Sequence, residues 1–156
     1  NPFVAWTFPK VFDTSSQGCE YEKEAIFAKS WYCVAHGSEL AQPYDYMTRK
    51  VIGENIVIIR GKDSVLRAFY IVCPHLGHEL LSGGGKAKNV ITCPYHAWTF
   101  KLDVSLALAR NCDHVESFDK ENSSMVPLKV EEYAGFVFIN MGESTTGVED
   151  HLPGFA

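Results

Sequence analysis

Two short runs twenty residues apart, VCPHLGH at 72–78 and TCPYHAW at 92–98, restrict this chain more than any other feature. Each sets a cysteine before a proline and follows it with a histidine. The spacings are Cys73-x-His75 and Cys93-x-x-His96, with seventeen residues between His75 and Cys93. Proline has no N–H to donate and disfavours helix in the residue before it, so both runs read as loops that leave strands. Whatever the fold, it contains two loops of matched design, each offering one thiol and one imidazole.

The rest of the chain reads mostly with the period of strands. WYCVAH (31–36), YMTRKVI (46–52), NIVIIR (55–60) and VLRAFYIV (65–72) are β-branched and aromatic runs separated by turn signals at 53–55 and 61–64. NVITC (89–93), WTFK (98–101), PLKVEEY (127–133) and GFVFIN (135–140) continue the pattern, and 106–125 reads as a long irregular connection. SGGGKAK (82–88) has the look of a phosphate loop, but Leu80 and Ala87 stand where Gly and Ser/Thr are required, so a flexible turn is expected. Before the strands, CEYEKEAIFAKSW (19–31) puts Tyr21, Ala25, Ala28 and Trp31 at helical spacing, with Glu20, Glu22 and Glu24 toward the favoured N-terminal end. A docked amphipathic helix is predicted there, preceded by an extended arm with prolines at 2 and 9. The expected class is all-β: an antiparallel sandwich with two ligand-bearing loops and one peripheral N-terminal helix.

At 156 residues the chain can bury a core without disulfides. Five cysteines in no framework spacing then read as reduced thiols of a cytoplasmic protein. A net charge of -5 with no basic run argues against nucleic acid and against an anionic membrane surface. No apolar stretch reaches the roughly 18 residues of a spanning helix, and the first residues lack a secretory layout. The sequon at Asn122 is read as a chance match. Starting at Asn1 and stopping at HLPGFA, the chain reads as a piece of something longer.

Two sulfur and two nitrogen donors, delivered as two mixed pairs, suit few metals. Structural zinc takes such donors tetrahedrally, but its usual spacings group like ligands, C-x₂₋₄-C before H-x₃₋₅-H. In a [2Fe-2S] cluster of the Rieske kind one iron keeps two cysteines and the other takes two histidines, so each loop can give its Cys to one iron and its His to the other. The interleaved order favours the cluster, with a zinc-stabilised interaction module as the rival from another class.

CPHLGH and CPYHAW resemble the two cluster-binding boxes of Rieske proteins. IFAKSW, LRAFYIVCPH, CPYHAWTF and EEYAGFVFIN extend the likeness over residues 20–142, to the N-terminal domain of Rieske non-haem iron oxygenases. IGENIVIIRGKDSVLRAFY and ARNCDHVESFDKENSSMVPLKVEEYAGFVFINM look most like the monooxygenases of carnitine and related quaternary ammonium compounds. The resemblance implies an arm and helix over 1–31, a Rieske domain over 32–142 and the start of a linker over 143–156. It implies that Cys73 and Cys93 hold the inner iron and His75 and His96 the outer one, with no catalytic residue in this stretch. Electrons would come from a flavin/iron-sulfur reductase and go to a mononuclear non-haem iron in a catalytic domain, of its own or a neighbouring subunit of a homotrimer. That iron needs two histidines and a carboxylate, and His36, His114 and His151 are too scattered to supply them. A free Rieske ferredoxin is the alternative within the superfamily.

His78 has no ligand position in the pattern and is expected to pack in the loop. In respiratory Rieske proteins two extra cysteines clamp the loops, and His78 and Tyr95 stand at those positions. Trp98 is expected under the cluster or in the core, and Cys19, Cys33 and Cys112 as ordinary thiols. Ile71, Leu76 and Val104 depart from the family, where Asn, Arg and a turn glycine are typical.

Overall fold

The structure is a computed structural model that describes residues 15–112, 114–143 and 145–154. Its strands are β1 (Trp31–His36), β2 (Asp45–Val51), β3 (Glu54–Arg60), β4 (Leu66–Tyr70), β5 (Gly84–Lys86), β6 (Val90–Thr92), β7 (Thr99–Lys101), β8 (Leu106–Leu108), β9 (Pro127–Tyr133) and β10 (Phe136–Asn140). Seven form one sheet in the order β1-β10-β9-β4-β3-β2-β5, and β6-β7-β8 form a second. All the pairings are antiparallel. The expected all-β class is what the chain adopts.

NIVIIR shows how these layers arise. Successive side chains of a strand point to opposite faces. Val57 and Ile59 enter a core shared with Ile91, Phe100 and Leu106 of the small sheet. Ile56 and Ile58 enter a second core with Ala35, Val137 and Ile139. Residues of β1 and β10 therefore share a core with residues of β2 and β3, although β9 and β4 separate them in the sheet: the large sheet curls over that core. A strand buried on both faces has no polar alternation, hence the unbroken apolar run.

Three expectations are corrected. SGGGKAK contains β5, an edge strand paired to β2 through Asp45↔Lys86, Tyr46↔Gly85 and Met47↔Gly84. A Cβ on Gly84 would stand 3.1 Å from the Tyr46 carbonyl oxygen, so glycine here permits a close backbone approach. The stretch 106–125 contains β8, which pairs with β7 across a register shift. The helix, α1, spans Ser16–Ala25 and gives way to a 3₁₀ turn over Phe27–Lys29. Ser15 caps it, its side chain accepting from the Gly18 N–H at 3.1 Å. The tighter turn breaks the 3.6 period before Trp31, and Tyr21 ends up 72% exposed rather than docked. The junction is held instead by hydrogen bonds: Asn140 Nδ2 donates to the Lys29 carbonyl at 2.8 Å and the Tyr32 hydroxyl to the Phe27 carbonyl at 2.8 Å. A second short helix, α2 (Val148–His151), places Val148 in the interior, its N–H donating to Glu131 Oε2 at 2.8 Å. The extended arm predicted over NPFVAWTFPKVF (1–12) lies outside the described residues.

The β9–β10 hairpin turns on Ala134 and Gly135, both left-handed at φ 50° and 81°. Such two-residue turns favour Asn-Gly, because a Cβ resists positive φ and asparagine tolerates it best. Ala134 is exposed, so its replacement loses no packing. Ala134→Asn is expected to stabilise the domain by roughly 0.5–1 kcal/mol and raise the thermal midpoint by about 1–4 °C, read by circular dichroism. An unchanged or lower midpoint would contradict the turn.

Several carboxyls sit below the usual range: Asp63 beside the Arg67 guanidinium, Asp45 beside Lys86, Asp103 bonded by Ser105 and Asp119 by the Asn122 N–H. A folded pKa below the unfolded value contributes stability above the unfolded pKa, about 3.9 for Asp, and loses it as pH falls. The thermal midpoint should therefore drop between about pH 5 and pH 3. A flat profile would show these contacts to be absent in solution.

Candidate metal centre

Both predicted loops close in the same way. In the first, the Cys73 N–H donates to the His78 carbonyl at 2.8 Å and the Gly77 N–H to the Cys73 carbonyl at 2.8 Å. In the second, the Cys93 N–H donates to the Trp98 carbonyl at 2.8 Å and the Ala97 N–H to the Cys93 carbonyl at 3.0 Å. The fourth residue after each cysteine is left-handed, Gly77 at φ 72° and Ala97 at φ 56°. The first loop extends from β4 through a Val72↔Glu79 bridge, and the second is the connection between β6 and β7. One sheet thus carries each half of the clasp, and the core between the sheets holds them together.

The four predicted donors are brought together and sorted by type. Cys73 and Cys93 are 1% and 2% exposed and belong to the core beneath the loops. The Cys93 thiol lies against the Cys73 thiol. His75 is exposed and His96 half-buried, their ring centroids 4.8 Å apart. Sulfur donors lie inside and nitrogen donors outside. Burial pushes the Cys73 thiol up, opposed by the backbone N–H groups of His75 and Leu76 directed at the same sulfur. Those N–H groups would favour a thiolate once a cation is present.

The donor set fits a two-iron group better than a single ion. His96 Nδ1 is buried without a hydrogen-bond partner, as an imidazole nitrogen kept for a metal would be. Among the described residues no three His, Cys, Asp or Glu side chains are arranged to hold one metal ion. A tetrahedral zinc would need four donors about one point. Two pairs, one of thiols and one of imidazoles, match a cluster with one differently ligated iron at each end.

His78 and Tyr95 meet across the loops with centroids 5.8 Å apart and planes tilted by 42°. A ring contact thus joins the loops where the resemblance sets a clamping pair in respiratory Rieske proteins. Trp98 is 5% exposed and stacks on His75 at 4.7 Å with planes 7° apart, while meeting Phe118 edge-on at 5.5 Å. It is a core residue that also holds the His75 ring by stacking. The sequence leaves Trp98 either under the cluster or in the core and does not foresee the stack, which depends on the register of the two loops.

The departures differ in consequence. Ile71 is fully buried and packs in the core, and Leu76 stands 63% exposed at the tip of the first loop. Val104 adopts φ 72°, the left-handed geometry that a turn glycine would relieve. Cys19, Cys33 and Cys112 form no disulfide, and Cys112 packs against the core that contains Cys73 and Cys93. His36 contacts Ser38 Oγ, and His151 contacts Thr146 Oγ1, far apart in the sequence and in different elements. Among the described residues no helix is long and apolar enough to cross a membrane.

Residues 30–119 match the family model of the Rieske [2Fe-2S] domain. The carnitine monooxygenase oxygenase subunit of Acinetobacter pittii (strain PHEA-2) is 88% identical over 156 residues, which are 100% of this chain and 42% of that protein. A crystal structure of the quaternary ammonium Rieske monooxygenase CntA with its substrate L-carnitine superposes with a TM-score of 0.94 at 89% identity, over 99% of this chain and 44% of that one. Another structure of such a monooxygenase, described as giving insight into carnitine oxidation and inter-subunit electron transfer, matches with a TM-score of 0.94 and 89% identity, over 99% of this chain and 42% of that one. The chain spans about two fifths of the length of the relatives it matches.

Proposed function

This chain belongs to the Rieske [2Fe-2S] domain family, and from that membership we propose that it is the electron-transfer domain of an oxygenase subunit acting on carnitine or a related quaternary ammonium compound. We propose that Cys73 and Cys93 hold the inner iron and His75 and His96 the outer. The observation that carries this reading is the sorting of donors by depth: buried thiols beneath, paired imidazoles toward solvent. When bound, the [2Fe-2S] group supplies a reversible one-electron couple.

The protein's own contribution is placement. The packed core keeps water from the thiols, and the two matched loops present the imidazoles at the surface, where a partner can come close. Leu76 and Tyr95 stand exposed in the same two loops and carry no charge. The donor is proposed to be a flavin/iron-sulfur reductase, and the acceptor a mononuclear iron in the catalytic domain, across a subunit boundary of a homotrimer. Substrate binding and oxygen chemistry would belong to that domain. Residues 1–31 are assigned to an arm and helix, 32–142 to the electron-transfer domain and 143–156 to the start of a linker.

Iron and acid-labile sulfide analysis, with visible and EPR spectra of the reduced protein, tests the reading. About two irons and two sulfides per chain are expected. A colourless protein that takes up zinc instead would overturn it.

A further inference from the structure

Among the described residues, two buried side-chain polar atoms lack a hydrogen-bond partner: His96 Nδ1 and Trp98 Nε1. The first is accounted for by ligation. The second is not, because an indole N–H can only donate and cannot bind a metal. Leaving a buried donor unmade costs about 1–3 kcal/mol, so a missing acceptor is the expected explanation.

Trp98 is not free to turn its N–H to water. Its ring is stacked on His75 on one face and met edge-on by Phe118. Around it the core is apolar, made of residues such as Ile71, Leu80, Phe100 and Met125, with Cys73 and Cys93 in the same cluster. No oxygen or sulfur of the described residues accepts from Nε1. The acceptors that the chain itself does not supply are the inorganic sulfides of the group held between the loops.

We propose that the Trp98 indole N–H donates a hydrogen bond to a bridging sulfide of the bound [2Fe-2S] group and so favours its reduced form. This rests on the reading of the loops as the cluster site. Reduction adds one electron from the external reductant, breaks no bond, and makes the sulfurs more negative, so a fixed donor stabilises the product more than the reactant. Trp98 is a positioning and tuning residue: it orients His75 by stacking and sets the couple through Nε1.

Two replacements separate those roles. Trp98→Phe removes the N–H and part of the stack. Incorporation of 3-benzothienylalanine at this position keeps the bicyclic shape and the stack but puts sulfur where the N–H was. Both proteins are expected to carry iron and sulfide like the parent. In both, the one-electron equilibrium should move at least tenfold toward the oxidised form in a redox titration, a potential lower by about 59 mV. Parent protein labelled with heavy nitrogen at the indole should show a weak nitrogen coupling in pulsed EPR of the reduced state, absent from both replacements. Heavy sulfide reconstituted into the bridges marks the bridging modes in resonance Raman, and their frequencies should differ between the parent and the benzothienylalanine protein.

A loaded benzothienylalanine protein whose equilibrium stays within about twofold of the parent's, with no indole coupling in the parent, overturns the donor role and leaves the cluster reading standing. Parent protein without iron and sulfide overturns the cluster reading itself. Should Trp98→Phe fail to fold, the isosteric replacement and the nitrogen coupling still decide.

Discussion

Cys93→Ala is expected to yield a folded protein that carries less than about a tenth of the parent's iron and sulfide, because the inner iron would lose one of its two thiolates. Metal affinity in such sites is coupled to the completeness of the donor set and to folding. The side chain is small and lies in an apolar core, so the change should cost the metal-free fold only about 1 kcal/mol. The thermal midpoint of the variant should lie about 2–4 °C below that of metal-free parent protein and further below that of the loaded parent, because a ligand bound only by the native state stabilises it. Cys33→Ala, at an exposed position on β1, is the control and should load fully. Full iron and sulfide in Cys93→Ala would remove this cysteine from the ligand set. Visible spectra and metal analysis of the two variants side by side make the measurement.

Phe100→Ala should produce the largest loss of stability, about 3–5 kcal/mol in urea unfolding of the loaded protein. Phe100 is fully buried on β7, pairs with Ile91 and Leu106 on either side, and shares its core with both cysteines. Removing the ring leaves a cavity directly beneath the second loop, and the three-residue strands around it are too short to close it. Val126→Ala, at an exposed position, should stay within about 0.5 kcal/mol of the parent. A loss below about 1 kcal/mol for Phe100→Ala would mean that the small sheet does not pack over the thiols as described.

Much of the fold was legible because strand periodicity is local. WYCVAH and PLKVEEY coincide with β1 and β9, and the other long runs differ from their strands by one or two residues at the ends. The strands that escaped notice have no local signature. Gly84–Lys86 becomes a strand because the edge of β2 is there to pair with, and Leu106–Leu108 because β7 is. Glycine has poor strand propensity, and three residues are too few to show a period. The helix end was misplaced for a similar reason. Nothing local in EAIFAKSW marks the change to a 3₁₀ turn, and its junction is held by Asn140, more than a hundred residues away. The candidate site was also legible locally. Its donor types and spacing are written in Cys73-x-His75 and Cys93-x-x-His96, and the structure brings these four residues together.

The sequence by itself determined the strand-rich class, the two proline-bearing loops, and a donor set of two thiols and two imidazoles, since each depends on residue type and short spacing alone. Which donors lie deep and which face solvent, the meeting of His78 with Tyr95, and the stack of Trp98 on His75 were decided only by tertiary structure. The physical reason is that two loops joined to different sheets acquire a mutual register only when the core between those sheets is packed.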